Sequence, residues 1–234
     1  MSVDPRRARE FSAALRKWFA RNGRDLPWRR TRDPYRVLVS EAMLQQTQVS
    51  RVVDYYERFL DRFPTLSHLA KAQPRQVRES WEGLGYYARA RNLHALSRSV
   101  AAIPSEPADL VRLPGVGAYT AGAVASFAFE RRAPLVDTNV ARVLRRAFAP
   151  RVDTGTSRGQ KRLWSIAEAL LPRTGKATWT HNQAIMELGA LVCTARVANC
   201  DRCPVMTLCH TGTRERGRGT GERPREMRRG TARR

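Results

Sequence analysis

All four cysteines of this chain fall in one short stretch near its C-terminal end: Cys193, Cys200, Cys203 and Cys209, spaced C-x6-C-x2-C-x5-C. Whatever the chain folds into must bring that stretch to one place. Four clustered thiols with none elsewhere read as a single metal centre, not as a disulfide framework. A chain of 234 residues can bury a hydrophobic core without covalent staples, and no secretory apolar segment routes it to an oxidising compartment. Thiolates are soft ligands, so the candidates are tetrahedral zinc or an iron–sulfur cluster. Ordinary buried or reactive thiols are the alternative.

The rest of the chain is patterned for helices. Val37 to Met43, Val52 to Leu60, Tyr87 to Val100, Ala121 to Phe129, Val140 to Phe148, Leu163 to Leu170 and Gln183 to Val192 carry apolar residues at three- and four-residue steps. Breaker clusters such as Arg32-Asp33-Pro34, Phe63-Pro64-Thr65, Ile103-Pro104-Ser105 and Pro172-Arg173-Thr174-Gly175 separate them. Thr65 and Ser105 each follow a proline and precede a helical pattern, where an N-cap belongs. Alternating strand patterns are nearly absent, so the fold class expected is all-α. Near the N-terminus, Arg6 to Arg24 is rich in arginine and poor in acids, a composition shared with transit peptides. Phe11, Leu15, Trp18 and Phe19 nevertheless recur at helical spacing, and the segment is read as a first helix.

The formal charge is +22, from 43 Lys and Arg against 21 Asp and Glu. A chain this basic meets a polyanion, nucleic acid first, and no stretch is apolar enough to span a bilayer. From Thr211 onward nine arginines are interleaved with glycines and almost no apolar residue. Such a segment cannot offset its ordering entropy by burial, so residues 211–234 are expected to be a disordered basic tail, either solvated or gripping phosphates.

Leu113-Pro114-Gly115-Val116-Gly117 lies between two helical segments. Glycines flanking one apolar residue permit a tight turn whose backbone N–H groups point outward together, a phosphate-binding concavity. In so basic a chain this reads as a helix–hairpin–helix. Downstream, Pro134-Leu135-Val136-Asp137-Thr138-Asn139 places Asp137 where it would cap the next helix.

Taken together these segments resemble the endonuclease III-like, helix–hairpin–helix DNA glycosylase superfamily. Within it, Ser40 through Val49 (SEAMLQQTQV), Gly83 through Asn92 (GLGYYARARN), Leu26-Pro27-Trp28-Arg29 and Met186-Glu187-Leu188-Gly189-Ala190 resemble the adenine DNA glycosylase (MutY) branch. The likeness spans roughly residues 11 to 210. It implies a [4Fe–4S] cluster on the four cysteines and a two-domain helical fold. A six-helix domain would span residues 26–133. A cluster domain would be built from residues 1–25 and 134–210, with the DNA groove between the two.

The resemblance also implies the chemistry. Breaking a purine N-glycosidic bond needs an acid near the base and a carboxylate near the sugar. Glu41 matches the acid that protonates adenine at N7, and Asp137 the carboxylate that stabilises the oxocarbenium-like state. Glu41 also lies between Leu38/Val39 and Met43/Leu44, where a charge is costly to bury without a purpose. Trp28, Arg29, Gln45, Gln46, Tyr86, Leu113, Gly115, Val116, Gly117, Tyr119, Asn139 and Arg196 are the expected DNA contacts. Gln45, Gln46 and Tyr86 would probe and wedge into the base stack, and Arg196 would face the backbone. Superfamily members that also cut the strand carry a lysine just after the hairpin, because Schiff-base chemistry needs an amine. This chain has Tyr119 there, and its lysines (Lys17, Lys71, Lys161, Lys176) lie outside the motifs. The expectation is a monofunctional glycosylase, acting as a cytoplasmic, nucleoid-associated monomer on double-stranded DNA with adenine opposite guanine or 8-oxoguanine.

Two departures keep rivals open. The branch usually carries a C-terminal domain that reads 8-oxoguanine, which this chain is expected to lack, and Asp137-Thr138-Asn139 replaces the common Asp-Gly-Asn. Short superfamily members include T·G and U·G mismatch glycosylases, also with tyrosine at the Tyr119 position. A non-enzymatic, cluster-bearing damage sensor is the third reading.

Overall fold

The computed structural model describes residues 3–213. Among them are eleven α-helices and no strand, only an isolated bridge between Cys193 and Ala198. Helix α1 (Pro5–Asn22) starts where Asp4 accepts from Arg7 N and Pro5 supplies a preset φ at the first position. Its apolar face is the one the sequence indicated: Phe11 and Leu15 are fully buried and Trp18 and Phe19 pack at the rim. Phe11 meets Phe148 edge-on at 4.9 Å. Burying each of these side chains is worth about 1.5–3 kcal/mol.

After a 3-10 turn at Pro27–Arg29 come α2 (Pro34–Leu44), capped by Asp33, and α3 (Val49–Arg62). They are followed by α4 (Leu66–Lys71), capped by Thr65 as expected, α5 (Pro74–Ser80) and α6 (Ala88–Ser99). The four-residue α7 (Pro107–Leu110) leads through the hairpin to α8 (Ala118–Phe129). Helix α8 is apolar on every side and almost wholly buried, with α2, α7 and α11 packed around it. Residues 26–133 hold α2–α8, the short segment before the hairpin starting at Pro107 rather than at Ala108. For the same reason Ser105 is not the cap there. A proline at the first position makes its predecessor, Glu106, the cap residue.

Then come α9 (Thr138–Phe148), α10 (Ser157–Ala169) and α11 (Gly175–Leu191). Helix α11 packs against α1, α9 and α8. It begins eight residues before the Gln183 that the apolar pattern indicated. Thr174 and Gly175, read as a breaker, are its cap and first residue. Gly175 stands there because a Cβ would meet the Glu130 carbonyl oxygen at 1.5 Å.

One contiguous apolar core runs through all of these helices. Most of the basic tail, residues 214–234, lies outside the described residues. Its expected start is corrected: residues 210–213 form a helical turn in which Gly212 is buried and Thr211 Oγ1 donates to the Arg146 carbonyl at 2.9 Å. Packing against α9 supplies the partners that composition alone did not foresee.

Candidate active site

A cavity of about 760 Å³ opens between α2, the start of α8, the start of α9 and the middle of α11. Glu41 enters it from α2. Its carboxyl is 3% exposed and accepts from Tyr119 Oη at 2.8 Å. Burial, with a smaller push from Asp137, raises its pKa from 4.5 to about 7, against the opposing pull of Tyr119 and Arg29. The carboxyl is therefore poised to hold a proton near neutral pH.

Asp137 reaches the same cavity from the N-terminus of α9. It does cap that helix, accepting from Val140 N at 2.6 Å, and Asn139 Nδ2 donates to its other oxygen at 3.2 Å. Burial raises its pKa, while these two donors favour the carboxylate. Capping and facing the cavity are one arrangement, since the cap holds one oxygen and leaves the other to Asn139. Asn139 is held in turn by Arg142, whose guanidinium also donates to the carbonyls of Gly189 and Cys193.

The wall contributed by α11 holds an acid to which the sequence assigned no role, although its partner Arg29 was an expected contact. Glu187 on α11 is 1% exposed and accepts from Arg24 N, Nε and Nη2 and from Arg29 Nη2, all within 2.9 Å. Burial alone would raise its pKa, but these donors more than offset it and hold the carboxyl down at about 2. Arg29 Nε also donates to Gln183 Oε1 at 2.8 Å. The supporting argument for Glu41, an acid costly to bury on an apolar helical segment, applies equally to Glu187 between Met186 and Leu188 and would have found it. Arg24 and Gln183 carried no such signal.

Trp28, Arg29, Gln45, Gln46, Tyr119 and Asn139 all line this cavity. Trp28 is buried in its wall, edge-on to Tyr56 at 5.5 Å. Tyr86 lies outside the lining and is 61% exposed. In the hairpin, Gly115 takes φ +74 and a Cβ there would strike Asn92, so only glycine fits. Val116 is buried, Leu113 half-buried, and Gly117 caps α8 from an exposed position. Arg196 is exposed in the loop between Cys193 and Cys200.

The four cysteines line one small, separate pocket with Arg146 and Met206. Arg146 Nη1 donates to Cys193 Sγ at 3.2 Å and Gly212 N to Cys209 Sγ at 3.4 Å, the kind of N–H support a thiolate takes. The described residues include no group of three or more His, Cys, Asp or Glu side chains closed on a single ion. An all-thiol donor set around an apolar pocket suits a soft, multi-atom metal cluster.

Residues 39–178 match the family described as HhH-GPD superfamily base excision DNA repair protein. The chain is 43% identical over 218 residues to an adenine DNA glycosylase of Rattus norvegicus, covering 87% of this chain and 42% of that protein. It is 42% identical over 235 residues to one from Mycolicibacterium smegmatis, covering 98% and 75% respectively. The chain thus spans about two fifths of the length of the mammalian relatives it matches. Among solved structures, a thermostable thymine-DNA glycosylase aligns with TM-score 0.81 at 29% identity, over 89% of this chain and 98% of that one. A trapped endonuclease III–DNA covalent intermediate aligns with TM-score 0.73 at 25% identity, over 92% and 99%.

Proposed function

The chain belongs to the HhH-GPD superfamily of base excision DNA repair proteins, and we propose that it is a monofunctional DNA N-glycosylase that removes adenine mispaired with guanine or 8-oxoguanine. The observation that carries the reading is the Glu41 carboxyl, buried, bonded to Tyr119 and held protonatable near pH 7 across from Asp137. An extruded purine enters the cavity, at a cost of a few kcal/mol of unstacking. Glu41 delivers its proton to the base at N7 as the glycosidic bond breaks. The Asp137 carboxylate faces the positive charge left on the sugar, while burial, with a smaller push from that carboxylate, keeps Glu41 protonated beforehand. Glu187, Arg29 and Gln183 form a fixed polar wall. None of the four lysines lines the cavity, so no amine stands ready for a Schiff base; water adds instead to the cationic sugar carbon, its proton passes to a carboxylate of the cavity, and the product is an abasic site.

Residues 26–133 form one lobe and residues 1–25 with 134–210 the other, a division supported by the packing of α1 and α9 on α11. Hairpin residues 113–117, Arg196 and the exposed Tyr86 would meet duplex DNA, bound by a monomer. Cys193, Cys200, Cys203 and Cys209 would hold a [4Fe–4S] cluster. Held by these four thiolates, such a cluster would cross-link the C-terminal loop. No helix among the described residues is long and apolar enough to cross a membrane.

The test is a panel of duplexes carrying A·8-oxoguanine, A·G, T·G and U·G, treated with or without alkali. Adenine-containing strands should break only after alkali. The likeness to a thymine-DNA glycosylase over 89% of the chain favours one second reading, T·G or U·G excision. Release of thymine but not adenine would establish it and overturn the first.

A further inference from the structure

Arg89, in the first turn of α6, is a buried cation without a counter-charge. No carboxylate among the described residues pairs with it, and every hydrogen bond it makes runs to a neutral oxygen. Nη1 donates to the carbonyls of Ala42 at 3.1 Å, Met43 at 2.8 Å and Gln45, and to Thr47 Oγ1 at 3.2 Å. Nη2 donates to the carbonyls of Leu84 at 3.1 Å and Gly85 at 3.0 Å, and Nε to that of Tyr86 at 3.4 Å. The guanidinium also stands 5.5 Å from the Tyr86 ring and 5.6 Å from that of Trp81. This is a costly place for a charge, because burial opposes it and so does the positive end of its own helix.

The partners show what the charge does. Ala42, Met43 and Gln45 are the closing carbonyls of α2 and its cap, which have no partner within the helix and carry its negative end. Leu84, Gly85 and Tyr86 form the turn that enters α6. These two segments also hold two of the three non-glycine residues with left-handed backbone among the described residues, Gln46 at φ +56 and Tyr86 at φ +45. Such conformations persist only where their surroundings over-determine them. One side chain gathers both.

We infer that Arg89 is a positioning residue that clamps the Gln45–Gln46 turn to the Tyr86 turn, so that probe and wedge enter the duplex as one rigid unit and force the target base out. The inference rests on the reading above that these residues contact the duplex. It assigns Arg89 to extrusion and leaves bond breaking to Glu41 and Asp137. A clamp of this kind matters most where a base pair resists opening.

The experiment compares the full-length protein with its R89M and R89K variants on two duplexes, each with 2-aminopurine beside the target adenine. In one the adenine faces guanine. In the other it faces an abasic analogue, so that no pair resists extrusion. Thermal unfolding reports folding, stopped-flow fluorescence reports extrusion, and single-turnover excision reports chemistry. R89M should lose roughly 10²-fold in extrusion and excision at the paired target, the scale expected when a positioning group is lost. Its loss at the unpaired target should be at least about tenfold smaller. R89K keeps the charge without the planar fork of donors and should fall between. Equal losses on the two duplexes, or a fluorescence rise in R89M as fast as the parent's, overturns the inference. If R89M does not fold, the comparison is made with R89K, and equal losses on the two duplexes overturn the inference there too. A parent that extrudes the base but excises no adenine overturns the proposed function instead, and the fluorescence still decides the role of Arg89.

Discussion

Replacing Glu41 by Gln isolates the proton on which the proposed chemistry turns. The carboxyl is 3% exposed and accepts from Tyr119 at 2.8 Å. An amide oxygen accepts the same bond, so Glu41→Gln keeps the volume and the contact and removes the titration. Burial, aided by Asp137, lifts the Glu41 pKa from 4.5 to about 7. Between those values the folded protein holds a proton that the unfolded chain has released. The stabilising contribution of that proton is full below about pH 4.5 and is lost as pH rises through about 7. A rise from 4.5 to about 7 corresponds to roughly 3 kcal/mol, at about 1.4 kcal/mol per tenfold change in proton affinity. Urea unfolding in steps from about pH 5 to pH 8 should therefore show the parent losing about 2–3 kcal/mol relative to the variant. Single-turnover excision at neutral pH should fall by about 10²–10⁴ in the variant, with duplex affinity retained. Parallel unfolding profiles would falsify the perturbed titration. An unimpaired excision rate would remove Glu41 from the acid role, and loss of affinity together with rate would point to a binding role.

Asp137→Asn keeps an oxygen for Val140 N, removes the charge and turns an amide toward the Asn139 donor, so excision should drop by about 10²–10³ with duplex affinity retained. Asp137→Ala should lose the cap as well and unfold about 1 kcal/mol more easily in urea; equal stability of the two would show that the cap carries no weight. Tyr119→Phe deletes the bond that lowers the Glu41 pKa. The alkaline limb of its pH–rate profile should therefore move upward, and a downward move would contradict the assignment. Cys200→Ser should abolish visible absorbance and bound iron and sulfide in the purified protein. Retained absorbance would mean that the ligand set is wrong.

Much of the helical architecture could be read from periodicity, because α9 sets Val140, Val143, Leu144 and Ala147, and α3 sets Val52, Tyr56, Phe59 and Leu60, on one buried face each. What stayed hidden follows from how burial was achieved. Helix α5 buries only Val77, too little for a pattern. The first half of α11 buries polar residues instead. His181 meets Ser12, and Asn182 donates to Ser126 and to the Ala133 carbonyl. Hydrogen bonds to distant segments make those positions interior, and hydropathy cannot register them.

The same division holds at the site. By itself the amino-acid sequence determined the helical class, a glycine-bearing hairpin and the grouping of the four cysteines, and its resemblance to a known family nominated Glu41 and Asp137. It could not say which buried acid carries a proton. Glu41 and Glu187 are chemically identical residues on apolar helical segments, yet one is raised to about 7 and the other held at about 2. Arg24 and Arg29 reach Glu187 from more than 150 residues upstream, whereas Glu41 receives only a phenol and faces a second carboxylate. Only the tertiary structure sets those neighbours, because a buried carboxyl takes its charge state from whatever the fold brings beside it.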